Sequence, residues 1–159
     1  MSFVIVNLIG IAVLVGIDQA LKLWASATLQ PVGSMPFIPH FMELRFCLNE
    51  GAAFSMLSGK QAFLIAVTGI ALIAVAYWLF FQCREPSRRW ERAAMLLVLA
   101  GGIGNLIDRV ANGCVVDYLN FLFIEFPIFN FADICVCGGV GLYLLYVFFI
   151  EGKTQEEKD

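Results

Sequence analysis

The sequence predicts an integral membrane protein, built mainly of α-helices, with four helices that cross the bilayer. Of its 159 residues, 60% are hydrophobic and 14% are charged, whereas soluble domains carry about 25% charged residues. A chain of this length encloses too little volume to hide so many apolar side chains from water. The mean hydropathy of +0.83 therefore indicates that lipid covers much of the surface. The net charge of −3 argues against a nucleic-acid partner, since binding phosphates requires basic charge.

Four apolar runs are each close to the ~20 residues that a helix needs to cross ~30 Å of hydrocarbon. The predicted helices cover residues about 3–22, 61–81, 93–107 and 134–150. Ala25-Ser26-Ala27 mimics a signal-peptide cleavage site, but a basic start is missing, and Asp18 and Lys22 interrupt the approach to it. We therefore expect the first run to stay in the protein as a helix.

Basic residues assign the helix ends to the two sides of the membrane. The loop 82–92 contains four arginines, and Lys153 and Lys158 lie in the tail after Ile150. Short loops rich in Lys and Arg mark the cytoplasmic side. We therefore predict a single membrane domain over residues 1–159 with both termini in the cytoplasm. The predicted connections are outer loops 23–60 and 108–133, a cytoplasmic loop 82–92 and a cytoplasmic tail 151–159.

The cysteines and the single histidine offer little for metal or disulfide chemistry. Five cysteines, an odd number spread along the chain, do not make a disulfide framework. Cys135 and Cys137 are two apart on a helix and point to nearly opposite faces, so we expect both to be small, buried apolar packing residues rather than a chelate. His40 is the only histidine, which excludes an H-E-x-x-H zinc site, and we expect it at the surface or the membrane interface.

The predicted topology brings four aspartates to the outer membrane face. They are Asp18, Asp108, Asp117 and Asp133. An ionisable group at the centre of a membrane helix costs about 2.5–3.5 kcal/mol on insertion scales, and such groups usually have a partner or a task. We therefore interpret the cluster as a functional site at the membrane surface.

Some of these polar residues are expected to position the others. Asp18 and Lys22 have the spacing and order that favour a helical ion pair. Asn105 shares a helix face with Asp108 and Arg109, and Arg109 is the natural counter-ion for an aspartate. Their expected role is support of the remaining pair.

Asp117 and Asp133 are the candidate catalytic residues. Asp117 follows two β-branched valines, which favour extended backbone, and Asp133 opens an apolar helix, whose dipole stabilises a carboxylate. Two neighbouring carboxyls share a proton, so that one can activate water while the other acts as acid. This is aspartic-protease chemistry, although the sequence leaves the distance between the two open.

The segment around residues 49–60 has two interpretations. Asn49 can cap a short amphipathic helix over residues 51–57 that ends at Gly59 and lies on the membrane surface. Ser55, Ser58 and Lys60 also leave a Ser-Lys hydrolase open.

In the third predicted helix, three glycines suit close helix packing more than phosphate binding. These glycines are Gly101, Gly102 and Gly104.

Five sequence blocks resemble the bacterial lipoprotein signal peptidase, or signal peptidase II, family over essentially the whole chain. The blocks are D-Q-A-L-K at 18–22, N-E-G-A-A-F-S at 49–55, G-G-I-G-N-L-I-D-R at 101–109, V-V-D-Y at 115–118 and F-N-F-A-D at 129–133. Tyr118 and Glu50 differ from the usual family pattern.

The resemblance implies a membrane aspartic endopeptidase of the bacterial inner membrane. It implies cleavage of diacylglyceryl-modified prolipoproteins on the amino side of the lipidated cysteine, without metal or cofactor, at the outer face. Its catalytic aspartates fall on Asp117 and Asp133, and a small β-structure is implied in the first outer loop. Its supporting residues fall on Asp18, Lys22, Asn49, Gly51, Asn105, Asp108, Arg109, Asn130 and Ala132.

Three phenylalanines of the second outer loop have two possible roles. Phe121, Phe123 and Phe126 either border the substrate entrance or form an aromatic belt at the interface.

The expected partners are lipid and prolipoprotein substrates, and we expect a monomer. A proton-coupled transporter is the alternative function, and a lipid-binding helical scaffold is another. A transporter would need carboxylates across the membrane depth, and the predicted second and fourth helices have none in their middles.

Overall fold

The structure is a computed structural model that describes residues 3–51 and 59–151. Within these residues lie four long helices and three strands. The helices are α1 (Phe3–Leu29), α2 (Gln61–Tyr77), α3 (Arg89–Asn112) and α4 (Phe131–Tyr146), and the strands are β1 (Ser34–Ile38), β2 (Met42–Asn49) and β3 (Val115–Phe121). Short π-helical turns continue α2 over Trp78–Gln82 and α4 over Val147–Glu151, and a 3-10 turn, Pro86–Arg88, precedes α3.

The four predicted membrane-spanning helices are confirmed by length and composition. Their lipid-facing sides carry large exposed apolar side chains, such as Ile70 on α2 at 70% exposure. The helices differ from the apolar runs at their ends: α1 continues to Leu29 rather than about residue 22, and α4 begins at Phe131 rather than residue 134. Beyond residue 22, α1 continues because Ala25 and Leu29 are buried in an apolar cluster with β3. The α4 helix begins early because Asn130 and Asp133 form a capping box at its start.

The α3 helix packs against each of the other three helices, and small residues allow its close approach to α1 and α4. A Cβ atom added at Gly104 would lie 2.5 Å from Asp18 Oδ2, and one at Gly101 would collide with the backbone oxygen of Ala132. On the third side, Gly102 lies against Leu72 of α2. The predicted role of these glycines in close helix packing is confirmed.

A three-stranded antiparallel sheet, in the order β1-β2-β3, lies beside the C-terminal end of α1. The strands β1 and β2 come from the predicted first outer loop, whereas β3 comes from the loop after α3, which the resemblance did not imply. Gly113, at φ +72°, ends α3 in the left-handed conformation that favours glycine and turns the chain into β3. An apolar cluster that includes Ala25, Leu29, Val116 and Tyr118 joins the sheet to α1.

The register of the sheet fixes the surroundings of Asp117. Asp117 is paired with Cys47 of β2, and Val115 is paired with Asn49. The predicted surface helix over residues 51–57, together with Ser55 and Ser58, falls mostly outside the described residues. At its start, the side chain of Asn49 accepts a hydrogen bond from the Gly51 N–H at 2.9 Å.

Candidate active site

The candidate site lies where α1 and α3 end, α4 begins and β3 passes between them. Asp117 is the third residue of β3 and is 2% exposed. Asp133 stands in the first turn of α4 and is half-buried. Both carboxylates line one cavity of about 370 Å³. The residues that the sequence proposed as a pair therefore meet in one place.

Asn130 connects the two carboxyl groups. It is the N-cap of α4 and forms a capping box: its Oδ1 accepts from the Asp133 N–H at 3.0 Å, and Asp133 Oδ2 accepts from the Asn130 N–H at 3.0 Å. Its Nδ2 donates to Asp117 Oδ1 at 2.6 Å. Because Asn130 is 0% exposed, this fully buried side chain fixes the position of both aspartates.

Two further amides complete the contacts of the pair. Asn49 Nδ2 donates to Asp117 Oδ2 at 3.0 Å, and Asn105 Nδ2 donates to Asp133 Oδ1 at 2.8 Å. Within the described residues, no Lys or Arg nitrogen lies within 4.0 Å of either carboxylate. Neutral donors therefore hold this pair. Because neither carboxylate has an ion-pair partner among the described residues, the two groups can gain or lose a proton.

The pKa of Asp117 is raised to about 7. Burial is the largest cause, because it disfavours the charged carboxylate, and the negative charge of Asp133 adds to it. Hydrogen bonds from Asn49 and Asn130 act in the opposite direction. The raised pKa brings the proton exchange of Asp117 into the neutral range, in which a carboxyl can both give and take protons.

A second, charged layer lies behind the pair. Lys22 Nζ is 2.9 Å from Asp18 Oδ2 and 3.0 Å from Asp108 Oδ2, and all three side chains are buried. The predicted ion pair between Asp18 and Lys22 is confirmed. Lys22 also donates to Asn105 Oδ1 at 2.9 Å, and Asn130 Nδ2 donates to the same oxygen at 3.1 Å. With its oxygen engaged, Asn105 turns its NH₂ group towards Asp133.

The carboxylates of this layer also connect the helices to the elements that carry the catalytic candidates. Asp18 Oδ1 accepts from the Ala132 N–H of α4 at 3.1 Å, and Asp108 Oδ2 accepts from the Val116 N–H of β3 at 3.3 Å. Gln19, which the sequence placed in a motif without a role, donates to Asp108 Oδ1 at 3.0 Å. Its spacing, 89 residues from Asp108, gave no local signal for this contact.

Tyr118 also has a role that the sequence did not predict. Its hydroxyl accepts a hydrogen bond from the Phe131 N–H, at the first residue of α4, at 3.3 Å. That N–H is one of the free donors that every helix start exposes. The tyrosine at this position therefore ties β3 to the start of α4, next to the two aspartates.

Arg109 does not form the ion pair that the sequence predicted. Its Nη2 donates to the Gly51 carbonyl at 3.1 Å and its Nη1 to the Asn105 carbonyl at 3.4 Å, and no carboxylate of the described chain lies within 4.0 Å. The prediction was wrong because Lys22 already compensates Asp108. Arg109 instead lines the cavity and holds the backbone next to Asn49.

Aromatic side chains form much of the cavity wall. Phe121, Phe126 and Phe129 line it and contact one another with ring centroids 5.1 to 5.8 Å apart. Phe123 is not among the lining residues; it stacks on Phe41 at 5.0 Å. Of the three phenylalanines that the sequence associated with the entrance, two line the cavity.

The cysteines and the histidine stay outside the carboxylate network. Cys135 is buried, as expected, but Cys137 is exposed and lines the cavity wall, so its prediction as buried packing was wrong. His40 is exposed in the turn between β1 and β2. In the part of the chain that the structure describes, no group of three or more His, Cys, Asp or Glu residues is arranged to hold a metal ion.

The fold and the site together define a polytopic membrane protein with a polar centre at one end of its helices and two carboxyl groups over a partly apolar cavity. The model of the family described as signal peptidase (SPase) II matches residues 10–149. The chain belongs to the signal peptidase II family, which makes it a membrane protease of bacterial type.

Similar proteins agree with this membership. A lipoprotein signal peptidase of Symbiobacterium thermophilum is 42% identical over 146 residues, which cover 89% of this chain and 93% of the relative. One from Clostridioides difficile is 37% identical, with 91% and 96% covered. A solved bacterial membrane enzyme superposes with a TM-score of 0.84 at 34% identity, with 97% of this chain and 93% of that one covered.

Proposed function

We propose that this protein is an aspartic endopeptidase that removes signal peptides from diacylglyceryl-modified prolipoproteins, on the amino side of the lipidated cysteine. One observation carries the aspartic mechanism: Asp117 and Asp133 line one cavity and are both held by Asn130. The names of the relatives, lipoprotein signal peptidase, support the substrate class.

The proposed reaction uses one proton shared by the pair. The dipole at the start of α4 favours the charged form of Asp133, which takes a proton from water as the water oxygen bonds to the scissile carbonyl carbon. Asp117, whose pKa is raised to about 7, gives its proton to the carbonyl oxygen. When the tetrahedral intermediate collapses, the C–N bond breaks, the leaving amine takes the proton from Asp133, and one hydroxyl of the intermediate returns its proton to Asp117, which restores the single proton of the pair.

The cavity suits a substrate that stays in the membrane. Each buried methylene of an acyl chain is worth about 0.8 kcal/mol, so a diacylated protein does not leave the bilayer to reach its enzyme. Ile134 and Cys137, on the exposed side of α4, belong to the cavity wall. This supports lateral entry of the substrate from lipid, with the peptide bond reaching the carboxylates at the interface.

The proposed orientation puts the active site on the outer face of the bacterial inner membrane and both termini in the cytoplasm. Arg84, Arg88, Arg89 and Arg92 lie at the end of the bundle opposite the aspartates, and such clusters mark the cytoplasmic side. We further propose that a monomer is sufficient, because a single chain brings the two aspartates and their asparagine donors together.

A transporter would need carboxylates distributed across the membrane depth. The acidic residues of the site instead gather at one end of the helices, and Glu91, at the other end, is engaged by Trp78 and Arg88. No observation favours transport over proteolysis.

The test places the purified protein in lipid vesicles and offers it a diacylglyceryl prolipoprotein as substrate. The control substrate is the same prolipoprotein without its diacylglyceryl group. We expect release of the signal peptide from the lipidated substrate, with the mass of a cut before the lipidated cysteine. The Asp117→Asn and Asp133→Asn variants should release the signal peptide at least about 100-fold more slowly, while Glu85→Gln, at an exposed site on the opposite end, should match wild type. Full activity in either aspartate variant contradicts the proposal.

A further inference from the structure

A second, open groove meets the catalytic pair from the side of the sheet. It has a volume of about 600 Å³ and shares Asn49, Asp117 and the segment 126–128 with the first cavity. The segment 126–128 therefore forms a common wall between the two spaces. Asp117 is reached from both of them.

The two spaces differ in chemistry. The first is walled largely by phenylalanine and isoleucine side chains, whereas the groove carries Arg45, Asn120 and Glu125. A prolipoprotein changes in a similar way at the bond to be cut: an apolar signal peptide precedes it, and the lipidated cysteine, whose acyl chains stay in lipid, follows it and leads into a hydrophilic mature chain. The polar groove matches the mature chain.

The charges in the groove are available to a ligand. Arg45 and Glu125 are both exposed, and in the described ranges 3–51 and 59–151 neither forms an ion pair. Asn120, by contrast, already donates to Glu43 at 2.8 Å. Arg45, on β2, and Glu125, after β3, therefore offer one unpaired charge of each sign.

The sheet register gives the distance along the groove. Cys47 lies opposite Asp117, and Arg45 precedes Cys47 by two residues on the same strand. A β-bulge between Leu44 and Cys47 interrupts the pairing here, and two extended residues span at most about 7 Å, so Arg45 lies no more than about 7 Å along the strand from the level of Asp117. An extended substrate spans that length with two residues.

We propose that this groove binds the first residues of the mature polypeptide, and that Arg45 selects for an acidic side chain at the second residue after the lipidated cysteine. The inference rests on the proposed function, because it assigns one side of the scissile bond to the groove. An exposed ion pair is worth about 0.2–1 kcal/mol, so the selection is modest, and added salt weakens it.

The test compares three lipidated substrates that differ only at that second residue, with Asp, Asn or Lys. Wild-type kcat/KM should fall in this order, with about a two- to fivefold difference between Asp and Lys. Arg45→Glu should reverse the order, and Arg45→Gln should remove it. Arg84→Glu, the same charge change at an exposed site on the opposite end of the bundle, should keep it.

The outcomes separate this inference from the proposed function. Equal kcat/KM for all three substrates in wild type and in Arg45→Glu overturns the assignment of the groove, while cleavage of the Asn substrate leaves the proposed function intact. An order that persists in Arg45→Gln also overturns the role of Arg45. Failure of wild type to cleave any of the three contradicts the proposed function itself.

Discussion

Two groups of carboxylates lie side by side at the same end of the helices and are held in different ways. Asp18 and Asp108 contact the ammonium of Lys22 in a buried cluster. Asp117 and Asp133 contact only amide and backbone donors from asparagines. A buried cation holds its carboxylate partners in ion pairs that are costly to break, whereas neutral donors supply no such counter-charge. The first group thus provides rigidity, and the second retains the freedom to exchange a proton.

The largest expected effect comes from breaking the neutral group. Asp117→Asn and Asp133→Asn remove the acid and the base, so each should lower kcat/KM by about 10²–10⁴-fold, measured in lipid vesicles. The thermal unfolding midpoint should stay close to wild type, because the amide has nearly the shape of the carboxyl. A large loss of stability with retained kcat/KM would reverse the roles of the two groups.

The charged group should respond in the opposite way. Lys22→Met removes the cation and leaves Asp18 and Asp108 buried without compensation, which should lower the free energy of unfolding by about 3–5 kcal/mol. Reversible unfolding in micelles measures this loss. Lys60→Met, at an exposed position, is the matched control and should change stability by less than about 0.5 kcal/mol. Equal effects at both lysines contradict the structural role of Lys22.

The pH dependence of the reaction sharpens the comparison further. Since the pKa of Asp117 is raised to about 7, its proton is present below that pH, and kcat/KM should fall as the pH rises through about 7. The hydrogen bond from Asn49 lowers this pKa, so Asn49→Ala should move the falling limb to higher pH. Asn112→Ala, on an exposed turn of α3, should leave the limb in place. A shift of the limb to lower pH in Asn49→Ala would contradict the assignment.

The smallest expected effect concerns the tie between β3 and α4. Tyr118→Phe removes the acceptor of the Phe131 N–H and should lower the free energy of unfolding by about 1 kcal/mol. The pH limb of kcat/KM should not move, because the hydroxyl does not contact either aspartate. A displaced limb would mean that Tyr118 takes part in the proton exchange.

Much of this arrangement could be predicted from the sequence. The four apolar runs fixed the spans, since helix length in a bilayer follows from hydrophobic thickness, and the spacing of Asp18 and Lys22 predicted their ion pair. The aspartates were assigned from motifs. Helix ends were less accurate, because apolar contacts of Ala25 and Leu29 with β3 continue α1 beyond its predicted end.

Contacts between distant parts of the chain could not be predicted. Whether Lys22 or Arg109 compensates Asp108 depends on how α1 packs against α3, because Lys22 is distant from Asp108 in sequence and adjacent residues of a helix, such as Asp108 and Arg109, do not face each other. The orientation of Asn105 follows from two donors on other elements, Lys22 and Asn130. The groove at Arg45 depends on the register of β2 with β3. None of these has a period or spacing in the sequence.

The proton on Asp117 is the central claim, and infrared titration of the protein in lipid measures it directly. We predict a protonated carboxyl band in wild type that disappears with a midpoint of about pH 7, in accord with the raised pKa of Asp117. The band should be absent at that pH in Asp117→Asn and present in Asp18→Asn. A wild-type protein with every carboxyl of the site ionised down to the ordinary range of about pH 4, or the same band in Asp117→Asn, would contradict the account.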